Sequence, residues 1–495
     1  MGLSNLSRSL ILEYVFAFVL RVWLYNSEFK TTIIGRVEVS TPVNSWKRVT
    51  EGVVLQKDGV NPYSGDMFHE SPVGLAIYSQ LIEYASPYLP GIFILLDLIT
   101  GHLLYLTAVE YMKHLMRRQE EDKAEFSEDV KDLLLSQKDV ERQPLYVVAA
   151  YLFNPYILFN TVAQTTTVFS NICLAASFLF MAKGNRWGSC VTISFATLQS
   201  LYPIVLIVPA AICVGYHTLP IKKPQKLTKA RAIAPVKLDI YQKMLPKSLR
   251  SVNSTHWITS MATTIGLFFV MLTSLLFLSC HLSGGWEFLH SVYGFMLLVP
   301  DLRPNIGLFW YFFTEMFEHF RLLYLWAFQM NALVLYLLPL SLRTRRDPIL
   351  LAASLTGITA MFKSYPSLGD VGFYLSLLPM WAHIFPCKKF FLSFFSLNLL
   401  VLFNKEKNSV ADLQQGFIVL AAFIITSVLG PTVWHLWIYA RSANANFYFG
   451  VGLAFAIAQI FLITDILLSY TKREFILRHG TSTLLHGKHG KLVLA

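Results

Sequence analysis

Hydrophobic stretches about as long as a membrane is thick recur along this chain from end to end, separated by polar connections. A helix rises about 1.5 Å per residue, so roughly twenty apolar residues cross a hydrocarbon layer of about 30 Å. The pattern predicts an all-α polytopic membrane protein in which residues 1–495 form a single membrane domain. We expect about twelve transmembrane helices, near residues 8–24, 91–111, 144–163, 165–183, 187–202, 203–218, 256–280, 321–341, 349–362, 371–386, 415–438 and 447–470.

One apolar block does not fit this count. Residues 390–403 are hydrophobic but too few to cross a bilayer as a straight helix. Counting them as a span would also move the basic C-terminal tail to the opposite side of the membrane. A re-entrant or interfacial segment is therefore expected there, with a spanning segment as the alternative.

Composition agrees with the hydrophobic pattern and excludes a soluble domain. Hydrophobic residues make up 54% of the chain and charged residues 14%, and the mean hydropathy is +0.49. The five cysteines show no paired spacing typical of a disulfide framework or a zinc site, so we expect no metal and no cofactor. The net charge of +11 comes from basic residues that flank hydrophobic spans, which argues against nucleic acid as a partner.

The distribution of basic residues predicts the orientation. By the positive-inside rule, the basic loop 219–255 and the tail 471–495 lie in the cytoplasm, as does the charged loop 112–143. Lys222 and Arg345 each follow a hydrophobic span and could form a pocket for an anionic phospholipid headgroup. Simple anchoring by positive charge is the alternative for both residues.

The segments on the far side carry more specific patterns. Residues 25–90 form a first lumenal loop with interfacial helices, and residues 284–320 form a lumenal amphipathic segment. At 100° per residue, the stretch from Trp310 to Phe320 predicts one helix with an apolar half. Its polar half is expected to face a partner protein or a cavity, with metal binding as a weak alternative; that half holds Tyr311, Glu315, Glu318 and His319.

Two turns at this side combine polar residues with helix starts. In PTVWHLWIYARSANANF, aromatic rings suited to the headgroup level precede Asn444 and Asn446. These amides could bind a sugar or phosphate head, or they could cap the next helix. In FKSYPSLGD, Lys363 and Asp370 stand at the two ends of a turn in which Asp370 is expected to cap a helix.

The layout of a first helix, a large lumenal loop and many spans resembles that of membrane glycosyltransferases that use dolichol-phosphate sugars. The resemblance implies a glycosyltransferase-C-like scaffold. Those enzymes place a catalytic carboxylate, commonly in an acidic pair, just after the first span, where this chain has Glu38 without a partner. An active glycosyltransferase using Glu38 as its base remains an alternative. A transporter is a further one, although the hydropathy shows no internal symmetry.

The motifs RVEV, SWKRVTEG, NPYSGDMFHESP, PDLRPNIGLFWYFFTEMFEHF, FKSYPSLGD and WHLWIYARSANANF, in this order, resemble the PIG-U family of glycosylphosphatidylinositol (GPI) transamidase subunits. The resemblance implies a non-catalytic, multi-pass subunit in the endoplasmic reticulum membrane that helps to bind the GPI lipid and present it for attachment to protein C-termini. It implies a nucleophilic cysteine in the caspase-like PIG-K subunit, and PIG-T, PIG-S and a GAA-type subunit as further partners beside membrane phospholipids. Laid over these motifs, Asn444 and Asn446 become the expected GPI contacts, and no catalytic residue is expected here.

Four charged residues fall inside predicted spans: Glu13, Arg21, Asp97 and Asp465. Charges in hydrocarbon are costly, so these side chains should face protein or a polar cavity. Pairing between helices is expected, because four scattered residues define no continuous transport route.

Overall fold

The chain forms a bundle of helices in the computed structural model, which describes residues 3–218, 254–384 and 410–480 and two short strands, Leu484–Leu485 and Lys488–His489, paired antiparallel. The first ten α-helices are α1 (Leu3–Tyr25), α2 (Phe29–Ile34), α3 (Trp46–Lys57), α4 (Pro72–Ala85), α5 (Leu89–Asp122), α6 (Gln137–Leu152), α7 (Pro155–Val162), α8 (Thr167–Ala182), α9 (Arg186–Gln199) and α10 (Ile207–His217). The others are α11 (Ser254–Ser283), α12 (Phe295–Leu298), α13 (Phe309–Glu315), α14 (Glu318–Leu333), α15 (Leu337–Arg343), α16 (Pro348–Phe362), α17 (Leu368–Leu377), α18 (Val410–Ile438) and α19 (Ala445–His479). Each span predicted from hydropathy coincides with a helix or a pair of helices wherever the structure describes it.

Several helix starts follow from capping residues beside proline. The Asn154 side chain accepts from the N–H of Tyr156 at 3.0 Å, with Pro155 as the first residue of α7. Asp347 does the same for Leu350 at 3.0 Å ahead of Pro348 in α16. Proline lacks the N–H that a first helical turn leaves unpaired, so it costs little there. These residues mark helix boundaries within an otherwise continuous apolar sequence.

Fewer of the described helices are long enough to cross a membrane than the hydropathy pattern predicts. Five stretches of the described residues are long and apolar enough to do so, which are 72–125, 255–283, 318–343, 418–438 and 445–479. The predicted span 144–163 is instead a pair of helices, α6 and α7, bent by 47°. The bend follows from Asn154 and Pro155, because the residue before proline avoids helical backbone. Counting this pair gives up to six spans, so twelve crossings and the glycosyltransferase-like scaffold remain predictions.

The short apolar helices lie inside the protein. Helix α5 packs along α6 and α8, and α9 packs between α8 and α11. One large apolar core runs through them and includes Phe178, Phe373 and Trp381, each fully buried. Buried helices therefore account for apolar stretches that are too short to cross a membrane alone.

A buried ion pair joins α1 to α5. The Arg21 guanidinium lies 2.6 Å from the Asp97 carboxylate, and both side chains are shielded from solvent. The Tyr151 hydroxyl donates to the same carboxylate at 2.7 Å. The expectation that intramembrane charges pair between helices is confirmed for Arg21 and Asp97.

One end of the bundle gathers connections that are distant in sequence. The main-chain N–H of Leu368 donates to the Glu38 carbonyl at 2.9 Å, and the Tyr448 hydroxyl donates to the Glu38 carboxylate at 3.0 Å. The Tyr311 hydroxyl donates to the Asn446 side chain at 2.6 Å. We call this region the amide end; it includes parts of the segments 25–90 and 284–320.

The opposite end holds a network of charges. The Glu474 carboxylate lies 3.5 Å from Arg118 and 3.4 Å from Arg346, and Arg118 also donates to the Arg346 carbonyl at 2.6 Å. Arg473 donates to the Leu133 carbonyl at 3.1 Å. We call this region the Glu474 end. The connections predicted to share a side of the membrane thus contact one another, while the side that each end faces stays a prediction.

Candidate functional site

The turn between α18 and α19 is fixed by main-chain hydrogen bonds at the amide end. Arg441 adopts a left-handed backbone with φ of +55°, which is uncommon for a residue other than glycine. The N–H of Ser442 donates to the Leu436 carbonyl at 2.9 Å. The Asn444 side chain then accepts from the N–H of Phe447 at 3.2 Å and caps α19. The alternative that Asn444 caps the next helix is therefore confirmed. The cap uses only the side-chain oxygen of Asn444.

Asn446 is held by a residue from the other far-side segment. Its side-chain oxygen accepts from the Tyr311 hydroxyl, and the Tyr311 ring stacks on Phe449 with centroids 4.3 Å apart. The neighbouring Trp310 ring has its centroid 6.4 Å from that of Trp437 and 6.2 Å from that of Tyr448. Asn444, Asn446 and Tyr311, which we call the amide cluster, therefore sit at the edge of an aromatic platform.

The hydrogen bonds of the amide cluster leave donors available. Both asparagines are exposed, and their oxygens accept from Phe447 and Tyr311, so their Nδ2 groups have no partner among the described residues. The buried indole N–H of Trp310 also has no partner in the described part of the chain. Arg441 lies in the turn that leads to Asn444, and Arg36 donates to the Pro431 carbonyl of α18 at 3.5 Å. N–H donors with guanidinium groups suit phosphate and sugar oxygens.

Glu38 lies beneath this platform and is poorly placed to act as a base. Its side chain is buried, and one carboxylate oxygen accepts from Tyr448 while the other has no partner among described residues. Burial raises the pKa of Glu38, an effect that the Tyr448 hydrogen bond and the Arg36 charge partly offset.

The predicted amphipathic helix from Trp310 to Phe320 is wrong as a single helix. Helix α13 ends at Glu315, Met316 and Phe317 are extended, and α14 begins at Glu318. Phe317 is 74% exposed, although the helical pattern placed it on the buried face. The break follows from burial of Trp310 and Phe313 on α13, while the α14 axis takes a separate path against α16.

The break separates the four residues predicted to share a polar face. Tyr311 and Glu315 lie on α13, whereas Glu318 and His319 begin α14. Tyr311 is half-buried, and the other three are exposed. No group of three or more His, Cys, Asp or Glu side chains is arranged to hold a metal ion within residues 3–218, 254–384 and 410–480.

Of the two residues predicted to form a phospholipid pocket, the structure describes one, Arg345. Arg345 is half-buried, and its carbonyl accepts from the Tyr216 hydroxyl at 2.5 Å, which joins it to the end of α10. Lys222 lies outside the described residues, as does the block 390–403. Residue 218, where the description of this part ends, is four positions before Lys222.

Sequence patterns missed a polar cavity between the first loop, α8 and the turn that begins at Lys363. It has two adjoining chambers with volumes of about 50 and 40 Å3. Lys363 and Asp370 line both chambers and form an ion pair at 2.6 Å. Asp370 also accepts from the N–H of Ser367 at 2.9 Å, so it completes a capping box in which Ser367 is the N-cap residue of α17. The two charged ends of FKSYPSLGD were the signal that could have indicated this cavity.

The fold defines a class: polytopic helical membrane proteins in which several interhelical connections meet at one end of the bundle. Within that class, the chain belongs to the PIG-U family. The family model described as "GPI transamidase subunit PIG-U" matches residues 15–403 and 393–455.

Curated relatives cover almost the whole chain. The GPI-anchor transamidase component PIGU of Homo sapiens is 34% identical over 98% of this chain and 99% of its own length. The GPI transamidase component GAB1 homolog of Schizosaccharomyces pombe is 27% identical over 91% of this chain and 90% of its own length. The GPI transamidase component GAB1 of Saccharomyces cerevisiae is 25% identical over 87% of this chain and 86% of its own length. The resemblance noted from the motifs is confirmed.

Proposed function

We propose that this chain is a non-catalytic subunit of a GPI transamidase in the endoplasmic reticulum membrane, where it binds the GPI head and presents it for attachment to proteins. The family and the names of its relatives support membership of such a complex. Its partners would be a caspase-like PIG-K subunit, PIG-T, PIG-S and a GAA-type subunit, with membrane phospholipids around it.

One observation carries the lipid-binding proposal: the amide cluster presents unpartnered N–H donors among the described residues. Asn446 is oriented by Tyr311, and Asn444 is oriented by its cap to Phe447. Each amide is thus fixed through its oxygen, and its NH2 group remains free to donate to a phosphate or hydroxyl oxygen of the GPI head. Because the geometry exists before the ligand binds, little ordering entropy would be lost on binding.

The absence of a catalytic role is supported by the chemistry of the described residues. Glu38, which stands where glycosyltransferases have an acidic pair, is buried and bonded to Tyr448. The cysteines Cys173, Cys190, Cys213 and Cys280 all lie within helices. A nucleophile needs access to the scissile bond and an adjacent base. The glycosyltransferase alternative gains no support from a relative.

The proposal predicts a specific loss in cells. Asn444→Lys or Asn446→Ala should reduce surface display of GPI-anchored proteins while the complex still assembles, because each change removes an amide donor at the exposed rim. Ser442→Ala is the matched control, since the hydroxyl of this exposed turn residue contacts the Leu436 carbonyl alone among the bonds described, at 3.4 Å. Flow cytometry measures display, and copurification measures assembly. Normal display in cells that carry the asparagine variants alone would rule out the site.

The exposed polar groups at the break between α13 and α14 are proposed to contact another subunit. Glu315, Glu318 and His319 project from the break between α13 and α14 at the amide end, beside Tyr311 of the cluster. Charge reversal by Glu315→Lys with Glu318→Lys should lower recovery of the partner subunits with a tagged chain. Full recovery of all partners would remove this assignment.

Lys222 and Arg345 are proposed to bind an anionic phospholipid headgroup. The hydrogen bond between Tyr216 and the Arg345 carbonyl brings the chain that leads to Lys222 close to Arg345. Native mass spectrometry of the complex should show loss of bound phospholipid in the Lys222→Gln, Arg345→Gln double variant. Unchanged phospholipid would leave positive-inside anchoring as their role.

A further inference from the structure

The two-chambered cavity has the lining of a ligand site. Its chambers have volumes of about 50 and 40 Å3 and share Tyr202, Lys363 and Asp370 in their walls. Twelve of the fourteen residues around the first chamber are polar, the exceptions being Val43 and Met296. The second chamber adds apolar walls from Leu174, Leu206 and Phe373. The cavity is therefore amphipathic, polar towards the first loop and more apolar towards the bundle core.

Asn171 supplies a hydrogen-bonding group that the protein itself does not use within the described residues. It is 1% exposed, lines the second chamber, and neither polar atom of its amide has a partner there. Leaving such a group unpaired costs about 1–3 kcal/mol. Asn44, in the first chamber, shows the contrast: it accepts from Thr41 at 2.6 Å and donates to Val39 and Thr167.

A second polar group points to the same space. Gln199 lines the first chamber, and its side-chain oxygen has no partner in the described part of the chain, while its nitrogen makes a long 3.4 Å contact with Tyr78. Asn171 and Gln199 come from different helices, α8 and α9. Asn171 thus offers a donor and an acceptor, and Gln199 offers a further acceptor, an arrangement that suits the hydroxyl groups of a polyol.

The charges of the cavity select against an anion. Lys363 is the one cation among the described residues that line either chamber, and its ammonium is neutralised by Asp370 at 2.6 Å. The other charged group, Glu70, is 5% exposed, and burial raises its pKa to about 8. A phosphate would find no free positive charge among these lining residues, whereas a neutral or amine-bearing polyol would meet amides, hydroxyls and carboxyl groups.

We propose that this cavity binds one sugar residue, a neutral hexose or an amino-hexose, through the amides of Asn171 and Gln199. The site is separate from the amide cluster and does not depend on the headgroup role of Asn444 and Asn446. The sugar could arrive as part of a glycolipid or as a soluble glycan, since both share the same hydroxyl chemistry.

Binding to the purified transamidase complex in nanodiscs tests the proposal. The probes are methyl glucosaminide and methyl mannoside, with inositol phosphate as the anionic comparison, observed by saturation-transfer NMR. At least one glycoside should bind saturably, inositol phosphate should not displace it, and Asn171→Leu should weaken binding at least about tenfold, the loss of one or two good hydrogen bonds. Gln199→Met serves as a second variant in case Asn171→Leu fails to assemble.

Two control variants test whether glycoside binding depends on this cavity. Thr197→Val removes a buried hydroxyl that is also unpartnered among described residues but does not line either chamber, so it should leave glycoside binding unchanged. Ser194→Ala removes another such hydroxyl away from both chambers and should leave it unchanged as well. Absence of saturable binding, displacement by inositol phosphate, or equal binding by Asn171→Leu and Gln199→Met would overturn the proposal.

The source of the sugar is read from a second measurement. Organic-solvent extracts of the complex are compared between the parent chain and Asn171→Leu by mass spectrometry. A glycolipid that is present with the parent and depleted with the variant supports the site and assigns a lipid-linked source. Glycoside binding without such a glycolipid supports the site and assigns a soluble source.

Discussion

The amide cluster and the polar cavity both present asparagine side chains, but they differ in how those amides are held. In the cluster, the oxygens of Asn444 and Asn446 bond to the protein and the nitrogens face solvent. In the cavity, Asn171 is buried with neither polar atom partnered among the described residues. An exposed, oriented amide costs little stability, whereas a buried, unpartnered one is costly until something binds.

The contrast extends to charge. Arg441 lies in the turn that leads into the cluster, and its guanidinium suits an anionic group such as a phosphate. The cavity holds a neutralised ion pair, Lys363 with Asp370, and suits an uncharged or amine-bearing group. The two proposed sites thus differ in chemistry, and variants at each should fail in different ways.

The largest effect on stability is expected at the cavity wall. Asp370→Ala removes the partner of a Lys363 side chain that is 15% exposed and also removes the bonds from Ser367. We expect a loss of about 2–3 kcal/mol, since a partly buried cation is left unpaired. Thermal unfolding of the purified complex measures it. The double variant Lys363→Met with Asp370→Asn should recover part of the loss, and a double variant as unstable as Asp370→Ala would argue against the ion pair as the cause.

The next effect concerns pH. Because burial raises the pKa of Glu70 from 4.5 to about 8, the folded protein binds a proton that the unfolded chain releases at lower pH. Its stabilising effect is complete below about pH 4.5 and is lost as the pH rises through about 8. The midpoint temperature of thermal unfolding should therefore decrease as the pH rises from about 6 to about 8.5, and this decrease should be smaller in Glu70→Gln.

An exposed carboxyl provides the control for this pH dependence. Glu83 is 46% exposed and pairs with Lys57 at 3.7 Å. Glu83→Gln should keep the slope of the parent protein. Identical slopes for the parent and Glu70→Gln would contradict the raised pKa.

A smaller effect separates the two roles of Asn444. Asn444→Ala should cost about 1 kcal/mol because α19 loses its cap, while Asn444→Ser should keep the cap and most of the stability. If the amide also binds the GPI head, Asn444→Ser should still reduce display of GPI-anchored proteins. Thermal unfolding and flow cytometry on both variants check this, and normal display with Asn444→Ser would leave capping as its role.

The sequence predicted helices well because apolar length and caps are local signals. Asp370 was expected to cap a helix, and it completes the capping box of α17 with the N-cap residue Ser367. The start of α7 at Asn154 and Pro155 was missed, because it falls inside the apolar stretch 144–163. The sequence could not tell buried helices from spanning ones. Helix α16 is apolar on all sides because protein surrounds it, and a helix surrounded by lipid has the same composition.

Sequence patterns could not predict the contacts between segments that are distant in the chain. Glu38 and Tyr448 are 410 positions apart, and nothing local in either motif indicates their hydrogen bond. The break at Met316 was missed because the aromatic residues from Trp310 to Phe320 fit helical periodicity, although tertiary packing divides them. The amides of the candidate site were found from their motif, whereas their link to Tyr311 required the fold.

The central claim, that the amide cluster holds the GPI head, is tested most directly by the lipid itself. Asn446→Asp keeps an oxygen that can accept from Tyr311 but replaces the amide donors with a negative charge, which should repel a phosphate. Mass spectrometry of lipid copurifying with the assembled complex should show GPI with the parent chain and with Ser442→Ala, and about tenfold less with Asn446→Asp. Equal GPI in all three complexes would contradict the account.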